Sequence, residues 1–512
     1  MTAGNAENVT GKMPGRMNKP LASIALVASS ELRFFMLEVA RLLKQRHGSV
    51  FHLYCSGPQE VSFYKEHNRD GLLASINDAD VLLPSALHTG LDEAEVVARA
   101  RTFEARIGCT YNMLAVANRH LGRGYALGGF YHPRSRVSQN TTYLQLLHAY
   151  NETLDFWDRE IAAKGITLIL NGSKEAACMA RAHGLPYRVL AGARYKNYHY
   201  WGWNEFNENP AIEAAYHDGA TAQAEIMREP YHSHMVNRNR FLQGANFITL
   251  VKKLLLTTAR HTYWYIRGYK KAKGYYLREN LKYHVRQWRD YGRLRRIARV
   301  TLAELKDRSF VFYPLHLEPE ASLQMLSPEY FYQLSSIAAV SRDLPSGVIL
   351  AVKETFAAVG RRPDNFYDQL AEFKNVVLLD TMELGLNIVR EASAVVTING
   401  TAGLEAAVMG KPVMAFGRHN VFQFLPHVLT VSDEAQLRGY LSDAVSGVID
   451  EEKARRDGLR FLDAVIAVSF DMGRYDFVNL HSFDGDTVEA ACRSLAGSLE
   501  PVPLECRMSS SK

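Results

Sequence analysis

Short, wholly apolar runs alternating with longer amphipathic segments limit this chain to few folds. LASIALVAS, the stretch from Glu31 to Gln45, and SVFHLYC read as strand, helix and strand. The rhythm resumes with helical periodicity over 92–123 and from Tyr143 to Lys164, then GITLILNG, SKEAACMARAHGLP and YRVLAG. A strand that is apolar throughout must be covered on both faces, which in an α/β chain means a parallel sheet between two helical layers. After residue 305 the pattern restarts: SFVFYPLHL, SGVILAVKE, NVVLLD, AVVTING and KPVMAFG are expected strands. Helices lie around Gln333, from Asn365 to Glu372, Leu384 to Ala392 and Thr401 to Met409, and after Ser432 the chain is mostly helical. Two such series predict two doubly wound, Rossmann-like domains whose ligands face the carboxyl ends of the strands.

At 512 residues, with 47% hydrophobic and 22% charged side chains, the chain is a multi-domain globular protein, neither disordered nor a small binding module. Its net charge of +6 is unevenly placed. From Lys252 to Arg299 there are 15 Lys and Arg against Glu279 and Asp290, leaving a net −7 elsewhere. Tyr263, Trp264, Tyr265, Tyr269, Tyr275, Tyr276, Tyr283, Trp288 and Tyr291 interleave with these cations. A helical segment of this texture suits an anionic lipid surface or a lipid-linked acceptor, with a solvated linker as the plain alternative; nucleic acid is not expected. The five cysteines have neither zinc-ligand spacing nor scaffold density, and the run from Leu21 to Ala28 is too short to span a bilayer. A cytoplasmic protein is expected, peripheral on the inner face of the membrane where the basic segment engages it.

The expected organisation is a loose leader (1–19), an N-terminal Rossmann-like domain (20–245), the basic aromatic helical segment (246–305), a C-terminal Rossmann-like domain (306–475) and a final helix and tail (476–512). Residues 195–210, YKNYHYWGWNEFNENP, read as a loop or short helices, serving either as a buried plug between domains or as a sugar-stacking platform.

The sharpest chemical signal is Asn399-Gly400-Thr401-Ala402-Gly403-Leu404-Glu405. A strand ends at Asn399, small residues allow a tight turn, and the following helix offers free N–H groups and a positive dipole end to a phosphate. Glu405 is placed to accept from ribose hydroxyls. Packing alone can also require such glycines. After the first strand of the second series, His316, Glu318 and Glu320 stand where binding loops belong: His316 can neutralise or hydrogen-bond a phosphate, the two acids can fix the loop or sugar hydroxyls, or all three can merely cap local structure. Lys353 and Glu354 close the next strand, and Gly360, Arg361 and Arg362 follow. These cations can reach a phosphate over the Thr401 turn, because strand ends of one parallel sheet share a face; a surface ion pair is the alternative.

FVFYPLHLEPEAS, VKE, GRRPDNFYDQL, NVVLLD and VVTINGTAGLEAAVMGKPVMAFG, in that order over 308–418, resemble the capsule polysaccharide biosynthesis family, which includes transferases that place Kdo on the glycolipid starter of bacterial capsules. The resemblance implies a GT-B arrangement, two Rossmann-like domains facing a cleft, with the acceptor at the N-terminal domain (20–245) and the nucleotide sugar held mainly by the C-terminal one (306–475). It implies a nucleotide-sugar donor, CMP-linked in the Kdo-transferring members, no tightly bound cofactor or metal, and a lipid-linked or glycan acceptor. His316, Glu318, Lys353, Thr401, Gly403 and Glu405 match family positions around the donor. One departure is plain: Thr355-Phe356 stands where members typically have His-Pro.

The expected activity is therefore sugar transfer from a nucleotide donor in capsular or surface polysaccharide synthesis. Glu31, His316 and Glu318 are the catalytic candidates, and Lys353, Arg361, Asn399, Gly400, Thr401, Gly403 and Glu405 the donor-binding ones. Glu31 and the loop of Asn171, Gly172 and Ser173 are candidates to activate the acceptor. A sugar-nucleotide epimerase of similar fold and a non-catalytic polysaccharide-binding or export-associated protein are the alternatives.

Overall fold

The computed structural model describes residues 20–501 except 117, 119, 122–130, 220–238, 240–241, 244–245, 269–273, 319–322, 324–325, 328–331 and 477–478. The expected leader, 1–19, and Glu320 lie outside these residues.

Thirteen strands are described: β1 (Ser23–Val27), β2 (Val50–Cys55), β3 (Leu73–Asp78), β4 (Leu168–Leu170), β5 (Tyr187–Gly192), β6 (Tyr198–Gly202), β7 (Phe310–Pro314), β8 (Ile349–Lys353), β9 (Val376–Leu378), β10 (Ala394–Thr397), β11 (Val413–Ala415), β12 (Val428–Thr430) and β13 (Phe470–Asp471). They form a seven-stranded sheet in the order β13-β6-β5-β4-β1-β2-β3 and a six-stranded sheet in the order β12-β11-β10-β7-β8-β9. The second sheet is wholly parallel. In the first, the β5–β6 and β6–β13 pairs are antiparallel and the other pairs parallel. Central strands are sealed on both faces, as at Ile24 to Leu26, Val311 to Tyr313 and Ala394 to Thr397. Helices cover both sides of each sheet, and the two Rossmann-like lobes face a cleft in a GT-B-like layout.

Local chemistry sets the helix ends. The helix Tyr143–Lys164 occupies its expected span, held by a capping box between Thr142 and Gln145 and stopped by Gly165 in the left-handed conformation. The expected helix over 92–123 is instead two, Glu93–Ile107 and Tyr111–Val116, because the chain turns at Gly108 with φ 73°.

The aromatic segment after β5 departs from the loop or short helices expected of it. Tyr198–Gly202 is a strand, antiparallel to β5. Trp201 is fully buried and its Nε1 donates to the Ala491 carbonyl at 3.1 Å, tying the strand to the helix Gly485–Ser498. Tyr195 and Tyr200 are buried in a cluster that also holds Leu404 and Phe422 of the second lobe. Tyr195 and Tyr200 are thus packed between lobes as a plug, whereas Trp201 belongs to the core of the first lobe. The chain also crosses back: β13 adds to the first sheet, and the helix Gly485–Ser498 packs on Arg33–His47.

The basic segment folds as two helices, Phe247–Ile266 and Leu277–Ile297, antiparallel and joined by hydrogen bonds between Thr257 and His284 and between His261 and Asn280, each at 3.0 Å. The second helix is docked on the C-terminal lobe. Tyr291 and Leu294 enter that lobe's core. Gly360, at φ 86°, lies so close that a Cβ there would sit 2.7 Å from the Gln287 Cα. Arg286 donates to the Arg362 carbonyl, Arg289 reaches Asp364 at 2.9 Å, and Arg293 grips Asp368 through two bonds of 2.8 and 2.9 Å. Part of the basic density thus neutralises the protein's own acids.

Candidate functional site

In the second sheet β7 neighbours β10, so the strand order reverses between them, and the crevice at such a switch point is where doubly wound sheets bind ligands. The chain leaving β7 carries His316, the chain leaving β10 carries Asn399 to Thr401, and β8 ends at Lys353. All of these, with Glu405 and Arg194, line one cavity of about 340 Å³.

His316 braces the turn from behind. The Gln333 Oε1 accepts the His316 backbone N–H at 2.6 Å and lies 3.3 Å from its Nδ1, which makes Nδ1 the protonated ring nitrogen. Nε2 is then an acceptor, 3.3 Å from Thr397 Oγ1 and 3.4 Å from the Asn399 N–H. Thr397 Oγ1 in turn accepts the Gly400 N–H at 2.9 Å. Burial pushes the imidazole down to about 4, so His316 is neutral at ordinary pH and bonds without supplying positive charge. The turn has no space for side chains: a Cβ on Gly400 would stand 2.9 Å from His316 Nε2, and one on Gly403 2.4 Å from Thr397 Cγ2. The helix Thr401–Val408 therefore starts close against β10, and Thr401 and Ala402 of its first turn line the cavity.

Beneath the loop lies a buried ionic cluster. Arg362, 1% exposed, forks onto Glu354 with two bonds of 2.9 Å, reaches Glu318 Oε2 at 2.9 Å and donates to the His316 carbonyl at 2.6 Å. Tyr367 adds a bond to Glu354 at 2.8 Å. Glu318 is equally buried and its Oε1 has no partner among the described residues. Burial pushes its carboxyl up to about 7 against the pull of Arg362 and Gln333. Glu318 thus sits under the loop, where it positions His316, and does not line the cavity.

Lys353 does line it. Burial pushes its ammonium down to about 8, with Glu354, Asp380 and Glu383 opposing. Its Nζ donates to the Glu354 carbonyl at 3.3 Å and lies 5.0 Å from the centre of the Phe356 ring. Phe356 occupies the place of the proline in the resembled family. Glu405 is half-buried, its carboxyl pushed up to about 7 by burial against the pull of Arg194 and Arg390.

Other candidates lie elsewhere. Arg361 lines no part of the cavity: its Nε lies 3.4 Å from the Tyr283 hydroxyl of the docked helix, and its carbonyl accepts the Tyr131 N–H. Glu31 and Asn171 follow β1 and β4, which meet at the first sheet's own switch point. Glu31 is exposed, with its carbonyl bonded by the Tyr475 hydroxyl. Asn171, at φ 58°, accepts the Leu190 N–H at 2.8 Å.

Two features were missed from sequence. Arg194 comes from the first lobe, at φ 56°, and donates to the Asn399 carbonyl at 3.0 Å, so both lobes build the cavity. Its one sequence signal is a cation two residues past β5. A second cavity of about 270 Å³ shares Arg194 and Asn399 and holds His419 and Phe206. There His419 Nδ1 lies 2.8 Å from Glu208 Oε1, and the imidazole stacks on Phe206 at 3.8 Å between ring centres. Burial would raise Glu208, but the His419 and Asn204 hydrogen bonds outweigh it and hold the carboxyl below its usual range. Among the described residues no three His, Cys, Asp or Glu side chains converge as a metal site.

The family profile described as capsule polysaccharide biosynthesis protein matches residues 221–425, under half of the chain. No curated protein sequence matches it. Among solved structures, the β-Kdo 2,4 transferase KpsC of Thermosulfurimonas dismutans is 13% identical, with 55% of this chain and 80% of that chain covered and a TM-score of 0.26. The UDP-GlcNAc 2-epimerase of Methanocaldococcus jannaschii is 11% identical, with coverages of 86% and 98% and a TM-score of 0.25. The spinosyn rhamnosyltransferase SpnG is 9% identical, with coverages of 87% and 98% and a TM-score of 0.28. Superpositions this loose carry no weight for the reaction. The family match takes in the basic helices and the second lobe through β10 and β11, the part of the chain that holds most of the larger cavity.

Proposed function

We propose that the protein is a nucleotide-sugar-dependent glycosyltransferase of surface-polysaccharide synthesis, with CMP-Kdo the first donor to try. The observation that carries this reading is the cavity at the β7/β10 switch point. There the N-terminus of the helix Thr401–Val408, the Lys353 ammonium and the Arg194 guanidinium of the opposite lobe surround one space. A phosphate seated there meets backbone N–H groups and two cations, which stabilise the charge that grows on it as the bond to the sugar breaks. Glu405, one turn into that helix, accepts from ribose hydroxyls. The acceptor occupies the neighbouring cavity. Its hydroxyl oxygen bonds to the anomeric carbon, the carbon–oxygen bond to the phosphate breaks, the nucleotide leaves with that electron pair, and the hydroxyl proton passes to His419 Nε2. Glu208 holds the opposite nitrogen of that ring, the arrangement a general base needs.

Calorimetry with CMP- and UDP-sugars tests the reading. Wild-type protein is expected to bind one of them, with affinity lowered at least tenfold in Lys353→Ala and in Arg194→Ala. Absence of nucleotide binding in the wild type would refute it. Binding without transfer to any glycan or glycolipid would leave a binding protein, and conversion of the free donor sugar would make it an epimerase.

A further inference from the structure

The helix Phe247–Ile266 leaves an apolar face exposed. Leu250 is its one buried residue, and its inner side, with Thr257 and His261, meets the second basic helix. Phe247, Ile248, Val251, Leu255, Leu256, Tyr263, Tyr265 and Ile266 are exposed, Ile248, Leu255 and Ile266 to 75, 68 and 76%. At about 100° per residue these eight side chains fall within one arc of roughly 180°. Lys252 falls inside that arc, whereas Arg260 and Lys253, with Arg267 just past the helix end, fall beyond its Leu256 edge, and the helix holds no acidic residue. A groove of about 910 Å³ between the two helices continues the surface, lined by leucines such as Leu254, Leu255 and Leu281 and by the cations Arg278, Lys282 and Arg289. No described helix is long and apolar enough to cross a membrane.

We propose that the helix Phe247–Ile266 is a membrane-docking arm that lies in the surface of a bilayer containing anionic phospholipid. The apolar arc enters the boundary between headgroups and acyl chains, and the cations beside it meet the phosphates. The occupant is read from the charge: cations on and beside the apolar arc, with no acid on the helix, match a uniformly anionic plane. The second helix, fixed to the C-terminal lobe by Arg289 and Arg293, holds the arm rigidly to the lobe that carries the cavity. Docking does not depend on the donor, so it stands apart from the proposed reaction.

The full chain is floated with vesicles of phosphatidylcholine alone and of phosphatidylcholine with phosphatidylglycerol. Binding to the anionic vesicles is expected, reduced by raised salt and by the triple variant Lys252→Gln, Arg260→Gln, Arg267→Gln. Leu255→Glu with Ile266→Glu is expected to lower the partition coefficient tenfold or more, while circular dichroism and nucleotide calorimetry stay as in the wild type. These sites are exposed, so the variants keep the fold. Failure of the wild type to bind anionic vesicles, or equal binding by the Glu variant, would overturn the proposal. So would a wild-type dimer that the Glu variant converts to monomer without vesicles, which would assign the face to a second copy.

Discussion

Replacing Arg362 by Met removes the cation shared by the deeply buried Glu354 and Glu318 carboxylates and the His316 carbonyl. Removing one partner of a buried ion pair costs about 3–5 kcal/mol, because the charge left behind is desolvated and unpaired. The cost should also depend on pH in a defined direction. The Glu318 carboxyl titrates near 7 in the folded protein and near the ordinary glutamate value when unfolded. The folded state therefore holds a proton that the unfolded state has released, and stability falls as pH rises through that window. Without the guanidinium the folded carboxyl is pushed further up, so the variant keeps losing stability above pH 7, where the wild type has levelled off. Each retained proton adds about 1.4 kcal/mol per pH unit to the difference. Urea unfolding followed by circular dichroism at about pH 6 and about pH 8.5 measures this directly. A variant-to-wild-type difference that is the same at both values, or below about 1 kcal/mol, would refute the assignment of Arg362 as the cation that keeps these carboxylates buried.

Two further outcomes follow from the cavity. Nucleotide affinity should fall as pH rises through about 8, where Lys353 loses its proton; Lys353→Arg should hold its affinity to higher pH, as titration calorimetry across that range would register. Gly403→Val should destabilise the protein by about 1–3 kcal/mol, because even its Cβ meets Thr397 Cγ2 at 2.4 Å. An unchanged urea midpoint would show that the helix can move away from β10, and that the turn does not need its close approach.

Unbroken apolar runs required parallel strands with helices on both faces, so two doubly wound lobes followed from sequence, as did the span of the helix Tyr143–Lys164. The turn from Asn399 to Gly403 was equally legible, because only small residues allow a helix to start so close to a strand. Long-range partners were not. Nothing local distinguishes Arg361, under Tyr283, from Arg362, which organises the loop, since the difference lies in Glu318 and Glu354 arriving from other strand ends. Trp201 looked like a loop residue until the chain's return brought Ala491 to its indole. Arg194 and the His419–Glu208 pair bind across lobes, between residues more than two hundred positions apart. Alternation and turn chemistry are local, and the sequence determined them alone. Which charges are buried, which cations remain free, and which groups share a cavity depend on desolvation and contact between distant segments, and only the tertiary structure decided those.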